Sequence, residues 1–261
     1  MSQSHQGAHP YAEIAALYDL EHDRFGDDLD LIRYIVETVG DPVLELGCGT
    51  GRVLAHLTDL NMRLTGVDDS PQMLDRARTR LEGYPSINLV EADMDATGLP
   101  DDRFGVVVLA LNTLMHASTL DKQREVLAEA FRVLDPRGQL FVDLPNPLSG
   151  ALDFVDHQVV HEGSWSDSPQ GKSVSKFSAR VINRADQIVQ THVWYDIVAE
   201  VGRLSRINTS FDLRYLYPAE LFLMLELAGF VEPKFYGAYE LDSFTDSSPR
   251  LIVTAEKTRS S

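Results

Sequence analysis

Apolar positions recur along this chain in two rhythms, one of three to four residues and one of two, and the stretches alternate. Tyr11, Ile14, Ala15, Leu17 and Tyr18 predict a short helix over 11–18, which the polar run Asp19-Leu20-Glu21-His22-Asp23 should break. Leu29, Ile32, Ile35, Val36 and Val39 share one face of a second helix, 28–39, stopped by Gly40-Asp41-Pro42. Short apolar runs then predict strands over 43–46, 63–67, 87–90, 104–109 and 139–144. The fourth is apolar throughout, as expected of a central parallel strand covered on both faces. Helices should fall between them. One starts just past Gly51, with Val53, Leu54 and Leu57 inward. Another starts at Ser70-Pro71, a good N-cap and first helical residue, with Met73, Leu74, Ala77 and Leu81 inward. A third covers 122–133, with Val126, Leu127, Ala130 and Phe131 inside, and ends at Asp135-Pro136-Arg137-Gly138.

The rhythm then changes. From about 156 to 215, stretches rich in Val, Ile, Thr and aromatics (174–182, 188–198 and 204–213) are separated by turn signals at Ser168-Pro169-Gln170-Gly171, Asn183-Arg184-Ala185-Asp186 and Glu200-Val201-Gly202. A helix over 218–227, closed by Gly229, and strands over 231–236 and 251–255 complete the chain. The expected fold is α/β: a doubly wound, seven-stranded sheet with an antiparallel β-meander inserted after strand five. Its parts should be a mobile tail (1–10), an N-terminal helical lid (11–40), an α/β core (41–150), the β insert acting as a substrate lid (151–215) and the C-terminal part of the core (216–261). In such sheets ligands sit beyond the carboxyl ends of the strands, where strand order reverses.

The residues at those ends carry the chemistry. Gly47, Gly49 and Gly51 form a tight turn between a strand and a helix N-terminus, and a ligand can approach that backbone closely. A dinucleotide fingerprint would need glycine at position 52, where Arg52 stands. Glu45 precedes the first glycine by two residues, Asp68 ends the next strand, Glu91-Ala92-Asp93-Met94 follows the third, and Leu111-Asn112 the fourth. With these neighbours the stretch resembles motif I of the class I S-adenosylmethionine (SAM) dependent methyltransferases, whose sheet is Rossmann-like.

That resemblance implies SAM as cofactor and a role for each matching position. The glycine turn, with Glu45, would meet the amino-acid tail and sugar. Asp68 would accept hydrogen bonds from both ribose hydroxyls, since an ionised carboxylate offers two acceptor oxygens. Met73 would lie on the adenine face, Asp93 would accept from the adenine amino group, the Met94 backbone would serve a ring nitrogen, and the Leu111 carbonyl would hold the methionine amine. Asp69 departs from the apolar residue usual after the acid, so the adenine face there should be more polar or rearranged. Arg52 either reaches a carboxylate or lies on a helix surface. Tyr11 and Tyr18, in a lid of the kind this family folds over its cofactor, would face the sulfonium for about 0.5–2 kcal/mol of cation–π attraction each. His116, just past strand four, is the candidate general base and Tyr18 its expected companion. The insert is similar to those of glycine N-methyltransferase and the amino-sugar N,N-dimethyltransferases. It would offer Trp165, Phe177, Arg180, Trp194, Tyr195 and Arg214 to an acceptor.

Composition narrows the partners. A formal net charge of −17 and the lack of a dense Lys/Arg block argue against a nucleic-acid backbone as substrate. The single cysteine, Cys48, allows neither an intrachain disulfide nor a cysteine metal cluster, and reads as a small packed residue; no metal is expected. No apolar run approaches the roughly 18 residues of a membrane span, and residues 1–10 lack a signal-peptide core, so a cytoplasmic protein is expected. The expected function is methyl transfer to a nitrogen or oxygen of a small-molecule acceptor such as an amino sugar or another metabolite. A nicotinamide (NAD) oxidoreductase and a non-catalytic SAM-binding protein are the alternatives, and a homodimer stays open.

Overall fold

A computed structural model describes residues 9–167, 172–199 and 202–258. Residues 1–8 of the expected tail, and Ser168, Pro169, Gln170, Gly171, Glu200 and Val201 of the expected turns, lie outside the described residues.

Two sheets organise the chain. The larger takes β1 (Val43–Leu46), β2 (Leu64–Asp68), β3 (Asn88–Glu91), β4 (Phe104–Leu109), β5 (Leu134–Pro145), β10 (Val231–Tyr236) and β11 (Arg250–Glu256), in the order β10-β11-β5-β4-β1-β2-β3. Strands β1 to β5 pair in parallel, while β11 is antiparallel to both β5 and β10. The order turns back between β1 and β4, which places the crevice over their carboxyl ends.

Period-two alternation along the strands supplies two cores. Leu44, Leu46, Val107, Leu109, Leu140 and Val142 face one side, with α5 (Leu120–Val133) and α7 (Pro218–Ala228). Val43, Val106, Val108, Phe141 and Ile252 face the other, with α2 (Asp27–Val39), α3 (Arg52–His56) and α4 (Pro71–Arg80). Covering on both faces is what the unbroken apolar run of β4 requires. The Ser70 hydroxyl accepts from the Met73 N–H as the cap of α4, with Pro71 opening the helix.

Three boundaries depart from the sequence reading. The first helix, α1, runs Ala15–His22, not 11–18. Its polar residues do not break it, because Asp19 pairs with Arg76 and Arg80 of α4 at 2.5 and 2.9 Å, and Glu21 pairs with Lys176 at 2.5 Å. Strand β5 begins at Leu134, directly after α5, so Asp135-Pro136-Arg137-Gly138 lies within the strand. The Arg137 N–H donates to Lys257 O at 2.8 Å, and Lys257 Nζ donates to the carbonyls of Phe131 and Leu134, both at 2.7 Å. A cation there also suits the negative end of the helix dipole. Finally, a short helix, α6 (Ala151–Val155), and an edge strand, β6 (Val159–Asp167), precede the three expected insert strands.

The insert is a four-stranded antiparallel sheet, β6, β7 (Lys172–Asn183), β8 (Ile188–Val198) and β9 (Leu204–Arg214), in sequence order. Asn183 Oδ1 accepts from the Ala185 and Asp186 N–H groups, making the predicted β7–β8 turn. Its inner face packs on the N-terminal segment: Ile14, Val174, Val193 and Tyr195 form a third cluster, flanked by Tyr11, Leu17 and Phe211.

Candidate active site

The glycine turn is held from below. Gly49 N–H donates to Asp68 Oδ2 at 2.8 Å, and Ser70 N–H donates to Oδ1 at 3.0 Å. One carboxylate thus ties the β1 turn to the start of α4. Burial raises the Asp68 pKa, and the two N–H donors oppose that shift. Gly47 (φ +67°) cannot carry a side chain, because a Cβ would meet Thr113 Cγ2 at 2.4 Å. Gly49 (φ +53°) differs: a Cβ there would meet nothing within 4 Å, so its surface is open to the crevice. Gly51 (φ +77°) does not line the crevice. It packs on α4, where a Cβ would sit 3.3 Å from Ala77 and 3.2 Å from Leu81, and so its role is close helix packing.

Two acids stand behind the turn. Glu45 is buried, burial pushes its pKa well up, and its Oε2 finds no hydrogen-bond partner among the described residues. Arg52 is not a free cation: its guanidinium forks onto buried Asp28 at 2.8 and 2.5 Å and also donates to Phe25 O. It lines the crevice but is committed to α2, so the carboxylate it reaches is the protein's own. Cys48 is buried, with its thiol pKa raised by burial, as a packed residue should be.

The β4 end is shaped by a network that no sequence signal marked. Leu111 (φ 43°) and Asn112 (φ 68°) are successive residues in the left-handed region, a conformation costing about 1–2 kcal/mol per L residue. Buried Asp143 of β5 receives both their N–H groups, Leu111's on Oδ2 at 3.3 Å and Asn112's on its carbonyl at 2.9 Å. Tyr239 Oη donates to Oδ2 at 3.0 Å, and Arg250 Nε donates to Oδ1 at 2.8 Å. Arg250 Nη2 also donates to Asn112 Oδ1 at 2.8 Å.

The N-terminal segment roofs the crevice. His9 Nε2 lies 2.9 Å from Asp69 Oδ1 and Thr209 Oγ1 donates to Pro10 O at 2.6 Å, while the Tyr11 hydroxyl and His116 Nε2 are 3.2 Å apart. Tyr11 stacks on Phe211 with ring centroids 5.6 Å apart and meets Tyr18 edge-on at 5.9 Å. Hydrogen bonding to Asp69 raises the His9 pKa and lowers that of Asp69. His116 goes the other way. Burial lowers its pKa to about 4, so the ring is neutral at pH 7.

Between roof, turn and insert lies a cavity of about 850 Å³. Tyr11, Tyr18, Glu45, Gly47, Gly49, Arg52, Asp68, Asp69, Met73, Asp93, Met94, Leu111 and His116 all line it. The insert contributes Arg180 and Tyr195 as expected, but not Trp165, Phe177, Trp194 or Arg214. Strand parity decides this: Val193 and Tyr195 face inward, so Trp194 faces outward, where it stacks on Phe177 at 5.6 Å. Arg214 is spent on Glu220 and Gln123. Lys176 and Phe211, which sequence reading passed over, take the inner positions. No cluster of His, Cys, Asp or Glu among the described residues could hold a metal.

A parallel sheet with one antiparallel strand, a glycine turn at its switch point and an acid at the end of β2 define a class I SAM-dependent methyltransferase fold. Comparison agrees. Residues 43–138 match the family model described as a methyltransferase domain, so the chain carries a methyltransferase domain of the SAM-dependent class. Among solved structures, the methyltransferase CcbJ from Streptomyces caelestis superposes with a TM-score of 0.79 at 28% identity, over 96% of this chain and 98% of that one. The sugar N-methyltransferase KedS8 from a Streptoalloteichus species shares the fold, with a TM-score of 0.76 at 20% identity over 99% and 98% of the two chains. By sequence, the putative methyltransferase YqeM of Bacillus subtilis is 32% identical over 44% of this chain and 46% of its own. The chain thus spans about half the length of that curated relative. A trans-aconitate 2-methyltransferase of Rhizobium rhizogenes is 27% identical over 69% of this chain and 71% of its own. No helix among the described residues is long and apolar enough to cross a membrane.

Proposed function

We propose that the protein transfers the methyl group of SAM to a small-molecule acceptor, with an amine nitrogen as the favoured target. The observation that carries the reading is the Asp68 carboxylate, bonded to the glycine turn on the floor of a cavity that the N-terminal segment and insert cover. The residues present fit the cofactor. Gly49 leaves open backbone, each Asp68 oxygen keeps a second lone pair for a ribose hydroxyl, and Glu45 holds a buried acceptor atom without a partner. Met73 offers an apolar surface to the adenine, Asp93 and the Met94 backbone serve its edge, and the Leu111 carbonyl serves the amine of the tail. When bound, SAM supplies a methyl group already activated on a sulfonium. The chain therefore has to align the acceptor and exclude water.

His116 argues against an alcohol acceptor. A base of pKa about 4 cannot appreciably deprotonate an alcohol, whereas a neutral amine attacks without one. In this reading Tyr11 and His116 orient the acceptor, and His116 takes a proton only if the acceptor's own pKa is low. Tyr18 and Tyr11 line the roof, Tyr18 stacked on His22 and Tyr11 on Phe211. The sugar N-methyltransferase KedS8, which shares this fold, is consistent with a nitrogen acceptor, while the trans-aconitate 2-methyltransferase is a relative that acts on an acid. Incubation with SAM carrying a labelled methyl group, against amine, alcohol and carboxylate panels, tests the reading. Label should appear on an amine; transfer to alcohols or carboxylates alone would overturn the nitrogen assignment, and transfer to nothing would favour a binding protein.

A further inference from the structure

We infer that Asp143, Arg250 and Tyr239 are positioning residues that hold Leu111 and Asn112 in the conformation needed to grip the amino-acid tail of the cofactor. The inference rests on the SAM reading above and adds to it a part of the chain that carries none of the motifs. Leu111 and Asn112 line the cavity at the β4 end, and both stand in the left-handed region that L residues avoid. Such a backbone needs to be held. Residue 143 holds both N–H groups, one on its carboxylate and one on its carbonyl, at 3.3 and 2.9 Å.

The carboxylate is itself fixed from the neighbouring strand, β11. Arg250, the first residue of β11, donates to Asp143 Oδ1 from Nε at 2.8 Å and approaches it through Nη2 at 2.7 Å. The same Nη2 reaches Asn112 Oδ1 at 2.8 Å, so one guanidinium spans the acid and the strained loop. Tyr239, in the β10–β11 connection, supplies the remaining donor to Oδ2 at 3.0 Å. A fully buried acid is retained at the C-terminal end of β5, in register with Ile252, where the strand could otherwise carry an apolar residue. Three of the bonds in this network reach the turn at Leu111 and Asn112. The antiparallel hairpin β10–β11 is thereby part of the cofactor site although it lines none of the cavity.

The positions separate a tail-specific effect from a general one. Affinities for S-adenosylhomocysteine, which has the amino-acid tail, and 5′-methylthioadenosine, which lacks it, are measured by calorimetry on unmodified protein and on Arg250→Met. The expected result is a loss of about tenfold or more for the first ligand, equivalent to 1.4 kcal/mol, with the second unchanged within about twofold. Asn112→Gly added to Arg250→Met should restore most of the loss, because glycine adopts a positive φ without support. Equal loss for both ligands, no loss for either, or no rescue by glycine would overturn the inference. Should Arg250→Met not fold, Tyr239→Phe decides by the same comparison, with a smaller loss confined to S-adenosylhomocysteine. Unmodified protein that binds neither ligand would instead bring down the SAM reading itself.

Discussion

At the scale of single residues, backbone conformation and burial do more than residue type. Gly47 is the sharpest case: its φ of +67° and the 2.4 Å approach of Thr113 Cγ2 leave no room for a methyl group. Gly47→Ala should lower SAM affinity at least about tenfold and lower Tm by several degrees, at about 2–4 °C per kcal/mol for a chain of this size; calorimetry and a thermal melt check both. His116 gives a pH signature. Its folded pKa of about 4 lies below the unfolded value near 6.5, so the unfolded chain binds the extra proton first. Its contribution is full above pH 6.5 and is lost as pH falls toward 4, a difference on the order of 3 kcal/mol at about 1.4 per pKa unit. Denaturant melts of His116→Gln should show a shallower acid limb than the unmodified protein. His116→Ala should cut turnover much more than SAM affinity, and equal loss of both would mark a structural residue. Gly47, Gly49, Glu45, Asp68, Asp93 and Leu111 were legible as lining residues because each sits at or just beyond a strand end, whereas Gly51 is turned to helix packing. Arg52 was half legible: its type announced a carboxylate partner, but the partner, Asp28, lies 24 residues away on another helix. Asp143 was silent, since one acid inside an apolar strand has no spacing to betray it.

Elements were read well where both faces of a strand or one face of a helix are buried, as in β4, α2, α4 and α7. They were read poorly where partners come from elsewhere. α1 extends through a polar stretch because α4 and β7 supply its counter-charges, and β6 was missed because an edge strand of Ser, His, Glu and Gly carries little alternation. The inner face of the insert was beyond reach for a simpler reason. Alternation marks two faces without saying which one meets the cavity, so Trp194 was named beside Tyr195 although only Tyr195 lines it. The roof itself makes a testable element. Ile14 is buried in the small cluster with Val174, Val193 and Tyr195, outside both main cores. Ile14→Ala should loosen the roof by roughly 2 kcal/mol or more and speed amide exchange in residues 11–22, leaving exchange in the central strands unchanged. Loss of protection throughout the sheet would show that roof and core unfold together. The His9–Asp69 contact should add a pH term of opposite sign to that of His116. His9's pKa is raised by Asp69, with Asp68 and Asp93 adding to it, so its stabilisation is full below the ordinary histidine value of 6.5 and fades as pH rises through the raised one.

For the whole molecule, two sheets divide the work. The parallel sheet fixes the glycine turn, Asp68 and the Leu111 turn on rigid strand ends, while the insert and N-terminal segment close over them and share a core of their own. The central claim is that the nucleoside of SAM lies across those strand ends with its sugar on Asp68. Titration calorimetry of the purified protein with SAM, beside Asp68→Ala and with NAD as control ligand, tests it most directly. The account predicts saturable one-to-one binding of SAM, none of NAD, and a loss of about 100-fold in Asp68→Ala, as two hydrogen bonds to a charged acceptor would give at about 1.4 kcal/mol per tenfold. Binding of NAD in place of SAM, or equal SAM affinity with and without the Asp68 carboxylate, would contradict it.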